Sequence, residues 1–143
     1  MNVCPNITVK EIVCPHIWSK YKDKAIRFVD PDIIACLDVI RNKILKAPIV
    51  INNNVWKQRG VRCNLCDLVK NKKTVYLTSH LFGKAIDFSC SKYNVSQIHE
   101  LIKKNADLLP CKIRLESPID APTWCHFDIM TYGQKEKIYT FRA

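Results

Sequence analysis

The sequence contains no apolar stretch long enough to span a membrane. Its first five residues also lack the basic start and the continuous apolar run of a signal peptide. We therefore expect no transmembrane segment and no export by a standard signal. No internal repeat or low-complexity tract divides the chain, and its 143 residues suit a single domain, residues 1–143, with one hydrophobic core.

Because we expect no export signal, the eight cysteines favour reduced thiols over a disulfide scaffold. Cys63-Asn64-Leu65-Cys66 is a lone Cys-x-x-Cys pair, and Cys14-Pro15-His16 also has the spacing of metal ligands. A structural zinc bound by Cys14, His16, Cys63 and Cys66 is therefore one interpretation. The favoured one is that these cysteines are small buried hydrophobic residues, and that His16 and His99 are structural.

Capping signals and apolar spacing predict two amphipathic helices. The first begins at Asp30-Pro31, a capping residue followed by proline, and continues with apolar residues three or four positions apart as far as Ile44. The second begins after Asn94, with Gln97 placed for a capping box, and ends before the next proline.

Six strand-like runs accompany these helices, at residues 48–52, 75–78, 84–90, 112–116, 124–130 and 137–141. The last two runs are joined through Tyr132-Gly133-Gln134 and predict a hairpin. Helices packed on a small, largely antiparallel sheet make an α+β domain, and we expect a zinc site on this sheet.

His80, Asp87 and His126 are the candidate zinc ligands. They lie in the segments Ser79-His80-Leu81-Phe82-Gly83-Lys84-Ala85-Ile86-Asp87 and Trp124-Cys125-His126-Phe127-Asp128. A catalytic zinc takes three protein ligands from His, Asp, Glu or Cys and leaves a fourth position for water, so these three residues fill the requirement. Gly83 allows a tight turn between His80 and the strand that carries Asp87.

Side chains alternate between the two faces of a strand. In each of these two segments, this alternation places the polar residues on one face. Asp87 shares its face with Ala85 and Ser89, while Trp124, His126 and Asp128 share a face of the second strand. The apolar residues between them point to the core. Two polar faces on apolar-backed strands can converge on one metal ion.

At these residues the chain resembles the zinc D-Ala-D-Ala carboxypeptidase and L-alanyl-D-glutamate endopeptidase family. The family motif runs Ser-x-His-x-x-Gly-x-Ala-x-Asp, followed later by Trp-x-His, and Thr78 replaces its serine here. The resemblance implies that His80, Asp87 and His126 bind Zn²⁺. It also implies that Arg62, in Gly60-Val61-Arg62-Cys63, binds a substrate carboxylate or stabilises the oxyanion. The residues expected to bind the substrate or to support the metal ligands are Thr78, Ser79, Trp124 and Asp128.

The general base departs from the usual family pattern. Many members carry a glutamate three residues before the tryptophan, where this chain has Ala121. Glu116, the nearest glutamate, ends the predicted strand 112–116, an arrangement that resembles more distant members. We assign Glu116 as the base, with Asp120 and Asp128 as rivals. Asp128 is equally placed to orient an imidazole.

The resemblance implies a zinc metallopeptidase that hydrolyses an amide bond in peptidoglycan stem peptides, as a carboxypeptidase or an endopeptidase. Such an enzyme, made without an export signal, fits a phage endolysin released from the host cytoplasm by a holin, or a lytic enzyme packaged in a virion. The alternative is a catalytically inactive, zinc-containing structural or wall-binding virion protein.

The net charge of +10 is dispersed along the chain. Lys70, Lys72 and Lys73 lie in a predicted loop, whereas Lys103 and Lys104 lie on a predicted helix. A basic surface attracts polyanions, but no nucleic-acid motif accompanies the charge. We therefore expect no nucleic-acid partner, and favour adhesion to acidic wall polymers or no specific charge partner.

Overall fold

The computed structural model describes residues 1–143 and has the predicted α+β class. A five-stranded mixed sheet carries helices on it, and a two-stranded antiparallel sheet lies at the start of the chain. The α-helices are α1 (Val9–Ile12), α2 (Pro15–Tyr21), α3 (Pro31–Asp38) and α4 (Val95–Lys104). The strands are β1 (Asn2–Cys4), β2 (Ile7–Thr8), β3 (Ile49–Val50), β4 (Ala85–Cys90), β5 (Ile113–Glu116), β6 (Cys125–Asp128) and β7 (Ile138–Phe141). There are also three 3₁₀ segments, at Lys22–Phe28, Ser79–Phe82 and Ala106–Leu108, and one π-helical segment, at Val39–Leu45.

The order of strands in the large sheet is β3-β4-β6-β5-β7. The β3–β4, β4–β6 and β6–β5 pairs are antiparallel, whereas β5 and β7 are parallel. The predicted hairpin between the last two strands is therefore wrong, because β5 lies between them. The Gln134 side chain donates a hydrogen bond to the carbonyl of Ile113 (2.9 Å), which returns the chain to the beginning of β5. From there β7 runs alongside β5 in the same direction.

Both predicted helices are present. Asp30 caps α3 by accepting a hydrogen bond from the backbone N–H of Asp32 (2.9 Å), and the helix continues into the π-helical segment as far as Leu45. At α4, Asn94 and Gln97 form the capping box. None of the helices is both long enough and apolar enough to cross a membrane.

Five of the six predicted strands are present, with shorter bounds, and the strand predicted at 75–78 is not. Val75 is 90% exposed and Leu77 is 70% exposed, so this apolar alternation has no buried face to stabilise a strand. The short helices α1 and α2 were not predicted. Between β3 and the segment Ser79–Phe82 the chain forms no helix or strand, and only an isolated bridge joins Val61 to Val13.

One hydrophobic core joins the helices to the sheet. The inward residues of the central strands, Phe88 and Phe127, are fully buried and their rings meet edge to face, with centroids 6.3 Å apart. The opposite faces of the same two strands carry Asp87 and His126. The core thus fixes the strands on which the candidate site is built.

Candidate metal centre

Asp87 and His126 are directly opposed residues of the antiparallel strands β4 and β6. Directly opposed residues of such a pair project to the same face of the sheet, so their side chains meet. Asp87 Oδ1 lies 2.7 Å from His126 Nδ1. Both residues are buried, at 6% exposure each.

His80 approaches the same carboxylate from the 3₁₀ segment Ser79–Phe82. Its Nε2 lies 3.3 Å from Asp87 Oδ2, and the ring is buried. Gly83 ends this segment with φ of 67°, the left-handed conformation that favours glycine. A Cβ at Gly83 would also overlap the carbonyl oxygen of Phe28. The tight turn expected at Gly83 is therefore present and has no room for a side chain.

Each imidazole directs one nitrogen at Asp87 and has the other held by a fixed partner. His80 Nδ1 lies 2.8 Å from the carbonyl oxygen of Gly60, and His126 Nε2 lies 3.0 Å from Asp128 Oδ2. These partners and Asp87 all only accept hydrogen bonds, so in the absence of a metal ion either nitrogen of each ring can donate. In the neutral tautomers with hydrogen on His80 Nδ1 and His126 Nε2, the lone pairs of His80 Nε2 and His126 Nδ1 are available to a metal ion. The ligand atoms of His80, Asp87 and His126 lie within 4.8 Å of one another, so this group could hold a metal ion.

The charges of the three residues are strongly coupled. Burial alone raises the pKa of Asp87, but hydrogen bonds from His126 and His80 hold it well below the usual range. Burial alone lowers the pKa of His126, but its hydrogen bonds to Asp128 and Asp87 raise it to about 9. Burial lowers the pKa of His80, offset in part by Asp87. Without a metal ion the site therefore combines an ionised Asp87 with a protonated His126, and a metal ion that binds there would displace the proton of His126 Nδ1.

Asp128 is fully buried, and both of its carboxylate oxygens accept hydrogen bonds. Besides His126, it accepts two hydrogen bonds from the Arg114 guanidinium, at 2.8 and 2.9 Å, and one from the backbone N–H of Met130 (3.0 Å). Burial raises the pKa of Asp128, but these hydrogen bonds leave it below its usual value. This arrangement suits a residue that orients His126, not one that exchanges protons with a substrate.

Of the other two candidates for the base, Glu116 lies at the site and Asp120 does not. Glu116 ends β5 and lines the same cavity as His80, Asp87 and His126. Burial, supported by neighbouring carboxylates, raises its pKa, and no hydrogen bond engages its carboxylate. Asp120 instead pairs with Arg142 at 2.8 and 3.2 Å, away from the cavity lining.

The cavity has a volume of about 660 Å³ and is open to solvent. Arg62 lines it, with Nη2 3.4 Å from Asp87 Oδ2 and Nε donating to the carbonyl of Gln58 (2.6 Å). The expected supporting residues Thr78, Ser79, Trp124 and Asp128 all line it as well. Every residue assigned to the site therefore lies at one cavity, and only the rival Asp120 lies outside.

Arg114 and Phe141 are among the cavity residues that were not predicted, and both contact the predicted site residues. Arg114 binds Asp128, and its guanidinium stacks on Phe141 at 4.4 Å from the ring centroid. Phe141 also packs edge to face against His126, with centroids 5.8 Å apart. The alternation along β5 places Arg114 and Glu116 on one face, and this signal was available in the sequence. The position of Phe141 depends on the parallel β5–β7 pair, which the sequence did not indicate.

The structure also brings together a second group of metal-binding residue types. The ligand atoms of Cys14, His16, Cys63 and Cys66 lie within 4.8 Å of one another. All eight cysteines are free thiols, as expected. The chain therefore has two separate clusters that could bind a metal ion.

No family model, curated protein or solved structure matches the chain. Its function must be inferred from the geometry of these two clusters and from the motif around His80 and His126.

Proposed function

We propose that this chain is a zinc-dependent peptidase that hydrolyses an amide bond in peptidoglycan stem peptides. The observation that carries the proposal is the convergence of His80 Nε2, an Asp87 oxygen and His126 Nδ1 at a cavity that also holds Glu116. The outer nitrogen of each imidazole is held by a separate acceptor, which is the arrangement expected of metal-binding histidines.

The donor set fits zinc. Two imidazole nitrogens and one carboxylate oxygen make three ligands on the wall of an open cavity, which leaves a fourth position for water or substrate. When bound, zinc lowers the pKa of water to about 7 and polarises a carbonyl group. The buried carboxylate and the ordered imidazoles supply the negative charge and fixed geometry that such an ion requires.

Glu116 is the residue to which we assign the proton transfers. Its carboxylate is free of hydrogen bonds and faces the same cavity as the three ligands. We assign it to accept a proton from the attacking water and to return that proton to the leaving amine. A carboxylate whose pKa burial raises is better suited to both transfers than one of ordinary acidity.

Arg62 is the residue to which we assign substrate binding. Both Arg62 and Arg114 line the cavity, but Arg114 donates two short hydrogen bonds to Asp128, at 2.8 and 2.9 Å. Arg62 donates from Nε to the carbonyl of Gln58, makes only a long contact of 3.4 Å with Asp87 through Nη2, and keeps its other N–H groups free. We assign these groups to a substrate carboxylate or to the oxyanion that forms during attack.

The substrate class rests on the motif Ser79 to Asp87 and on Trp-x-His, which resemble peptidoglycan peptidases of the carboxypeptidase and endopeptidase type. A cavity of about 660 Å³ accommodates a short peptide segment. The net charge of +10 favours approach to an acidic cell wall. Action on the wall after release from the host cytoplasm, or from a virion, agrees with this substrate.

The test is hydrolysis of a synthetic stem peptide and of purified peptidoglycan, with products identified by mass spectrometry. Glu116→Gln should lower kcat by about 10²- to 10⁴-fold, because it removes the general base while keeping the shape of the side chain. Its zinc content should equal that of the unmodified protein. The matched control is Glu100→Gln, which changes an exposed glutamate on α4 and should leave kcat unchanged.

His126→Ala provides the second arm, since it removes one ligand. It should lose the zinc of this centre together with activity. Zinc bound at the centre without hydrolysis of either substrate would favour an inactive structural or wall-binding virion protein. Full activity of Glu116→Gln would show that Glu116 is not the base.

A further inference from the structure

We infer that Cys14, His16, Cys63 and Cys66 form a second, structural Zn²⁺ site that is independent of the proposed catalytic centre. The four residues come from two distant segments, 14–16 and 63–66. The backbone brings these segments together before any metal is considered. Cys14 donates its N–H to the carbonyl of Val61 (2.8 Å), and Val61 donates to the carbonyl of Ile12 (2.8 Å).

The distances between the ligand atoms match a tetrahedron around zinc. With Zn–S of about 2.3 Å and Zn–N of about 2.0–2.1 Å, the edges of that tetrahedron are about 3.8 Å between sulfurs and about 3.6 Å between sulfur and nitrogen. Cys14 Sγ and Cys63 Sγ are 3.6 Å apart. His16 Nδ1 lies 3.9, 3.6 and 3.9 Å from the sulfurs of Cys14, Cys63 and Cys66.

The surroundings of the sulfurs suit thiolate ligands. The backbone N–H of Cys63 points to Cys66 Sγ (3.4 Å), and the backbone N–H of Leu65 points to Cys63 Sγ (3.4 Å). Such donors offset the negative charge of bound thiolates, as outer partners do at metal sites. Three thiolates and one imidazole form a complete set of four ligands, which is typical of structural zinc and leaves no position for substrate.

The site can also be loaded from solvent. Cys14 and Cys66 are fully buried, whereas Cys63 is half-buried and His16 is exposed. An ion can therefore enter from the His16 side and become enclosed when the imidazole binds. This exposure also makes His16 a ligand that can be replaced without disturbing the core.

This second site stabilises the segment that serves the proposed catalytic centre. Residues 51–78 form no helix or strand. A long irregular segment of this kind needs contacts other than helix or strand hydrogen bonds to keep one conformation. Cys63 directly follows Arg62, and Gly60 accepts the hydrogen bond from His80 Nδ1. The backbone N–H of Arg62 also donates to the carbonyl of His80 (3.1 Å). Zinc at Cys63 and Cys66 would hold this stretch against α2.

The test uses Co²⁺ in place of zinc and records metal stoichiometry and absorption spectra. Cobalt bound by thiolates gives an intense sulfur-to-cobalt charge-transfer band in the near ultraviolet, whereas cobalt bound by two imidazoles and a carboxylate does not. We expect two metal ions per chain and one thiolate-bound cobalt. Absence of the charge-transfer band in the fully loaded, unmodified protein would overturn the inference.

His16→Ala identifies the ligands. It should weaken zinc at the thiolate site by more than about 100-fold in a chelator competition, because loss of a direct ligand exceeds the 10- to 100-fold cost of losing an outer partner. Ser19→Ala, which changes another exposed residue of α2, is the matched control and should leave the affinity unchanged. An equal affinity in His16→Ala and Ser19→Ala would contradict the assignment of His16.

His126→Ala separates this site from the proposed function. In that variant the thiolate–cobalt band should persist while the other metal ion is lost. The band persisting in a protein that hydrolyses no stem peptide would support the structural site and count only against the peptidase proposal. Loss of the band in His126→Ala would contradict two independent sites.

Discussion

Asp87 and His126 face each other across β4 and β6, with Asp87 Oδ1 2.7 Å from His126 Nδ1. Their separation is set by strand pairing, because directly opposed residues of an antiparallel pair have fixed Cβ positions. A slip of one residue would turn one of them to the core. The buried Phe88 and Phe127, which occupy the opposite faces, prevent that slip. Two of the three candidate ligands are thus as firmly placed as the hydrophobic core.

Asp128→Asn is expected to weaken metal binding at His126 without removing a ligand. An asparagine has only one acceptor oxygen, so it cannot accept from both His126 Nε2 and the two N–H groups of Arg114. We expect about 10- to 100-fold weaker zinc binding at this centre, measured by chelator competition. Asp67→Asn alters an exposed ion pair with Lys70 and is the control. Unchanged affinity in Asp128→Asn would remove Asp128 from the supporting role.

Arg62→Lys tests whether the guanidinium acts on the substrate. A lysine keeps the charge but loses the planar fork, so we expect kcat/KM for a stem peptide to fall by about 10²-fold or more. A rise in KM would assign Arg62 to a substrate carboxylate, and a fall in kcat would assign it to the oxyanion. Zinc content must be measured alongside, since Arg62 also contacts Asp87. Arg27→Lys, at an exposed position, is the control, and equal kinetics of both variants would exclude the role.

Gly83→Ala should destabilise the turn that presents His80. Both Gly83 and Gly133 have positive φ, 67° and 77°, so alanine at either costs about 1–2 kcal/mol of conformational strain. At Gly83 the new methyl group also overlaps the backbone of Phe28, whereas at Gly133 it meets nothing within 4 Å. We expect Gly83→Ala to lower the free energy of unfolding by about 1–3 kcal/mol more than Gly133→Ala, measured by urea denaturation. Equal losses would mean that the chain at Phe28 moves freely aside.

His99→Leu should make the protein less sensitive to acid. His99 is buried on α4, neither ring nitrogen has a hydrogen-bond partner, and burial, with a smaller effect of Lys103, lowers its pKa to about 4. Between pH 6.5 and 4 the unfolded chain binds a proton at His99 that the folded chain does not. The effect of His99 on the free energy of unfolding is therefore absent above pH 6.5. As the pH falls towards 4, this effect lowers the free energy of unfolding by on the order of 2–3 kcal/mol.

The measurement is urea denaturation of His99→Leu and of the unmodified protein at each pH from 7 to 4. Acid also protonates carboxylates and releases metal, but these effects act on both proteins. The difference in unfolding free energy should therefore grow in favour of the variant as the pH falls. A constant difference across this range would show that the pKa of His99 is the same in the folded and the unfolded chain.

The sequence predicted the local parts of this structure better than the long-range ones. The capping residues Asp30 and Asn94 marked two helices correctly, because a cap depends on neighbours within three or four residues. The alternation around Asp87 and His126 identified the faces that meet. The hairpin of the last two strands was predicted wrongly, because strand pairing is decided by distant residues such as Gln134 and Ile113.

The same distinction applies to the candidate site. The pairing of Arg114 with Asp128 joins residues on different strands, so the sequence left Asp128 open as a base and gave Arg114 no role. The grouping of Cys14 with Cys63 depends on an isolated bridge between Val13 and Val61, which no periodic pattern in the sequence predicts. Helix α2 did offer a signal in Pro15 at its first position, but its seven residues are too few to show helical periodicity.

The placement of the three ligands on different kinds of structure has a consequence for motion. Asp87 and His126 lie on β4 and β6, strands with a neighbour on both sides, whereas His80 lies in a 3₁₀ turn after a long irregular segment. Backbone amides of the inner strands exchange slowly with solvent, because they open only when much of the sheet unfolds, while turns open locally. We therefore expect metal exchange to begin with withdrawal of His80, leaving the carboxylate–imidazole pair assembled for the returning ion.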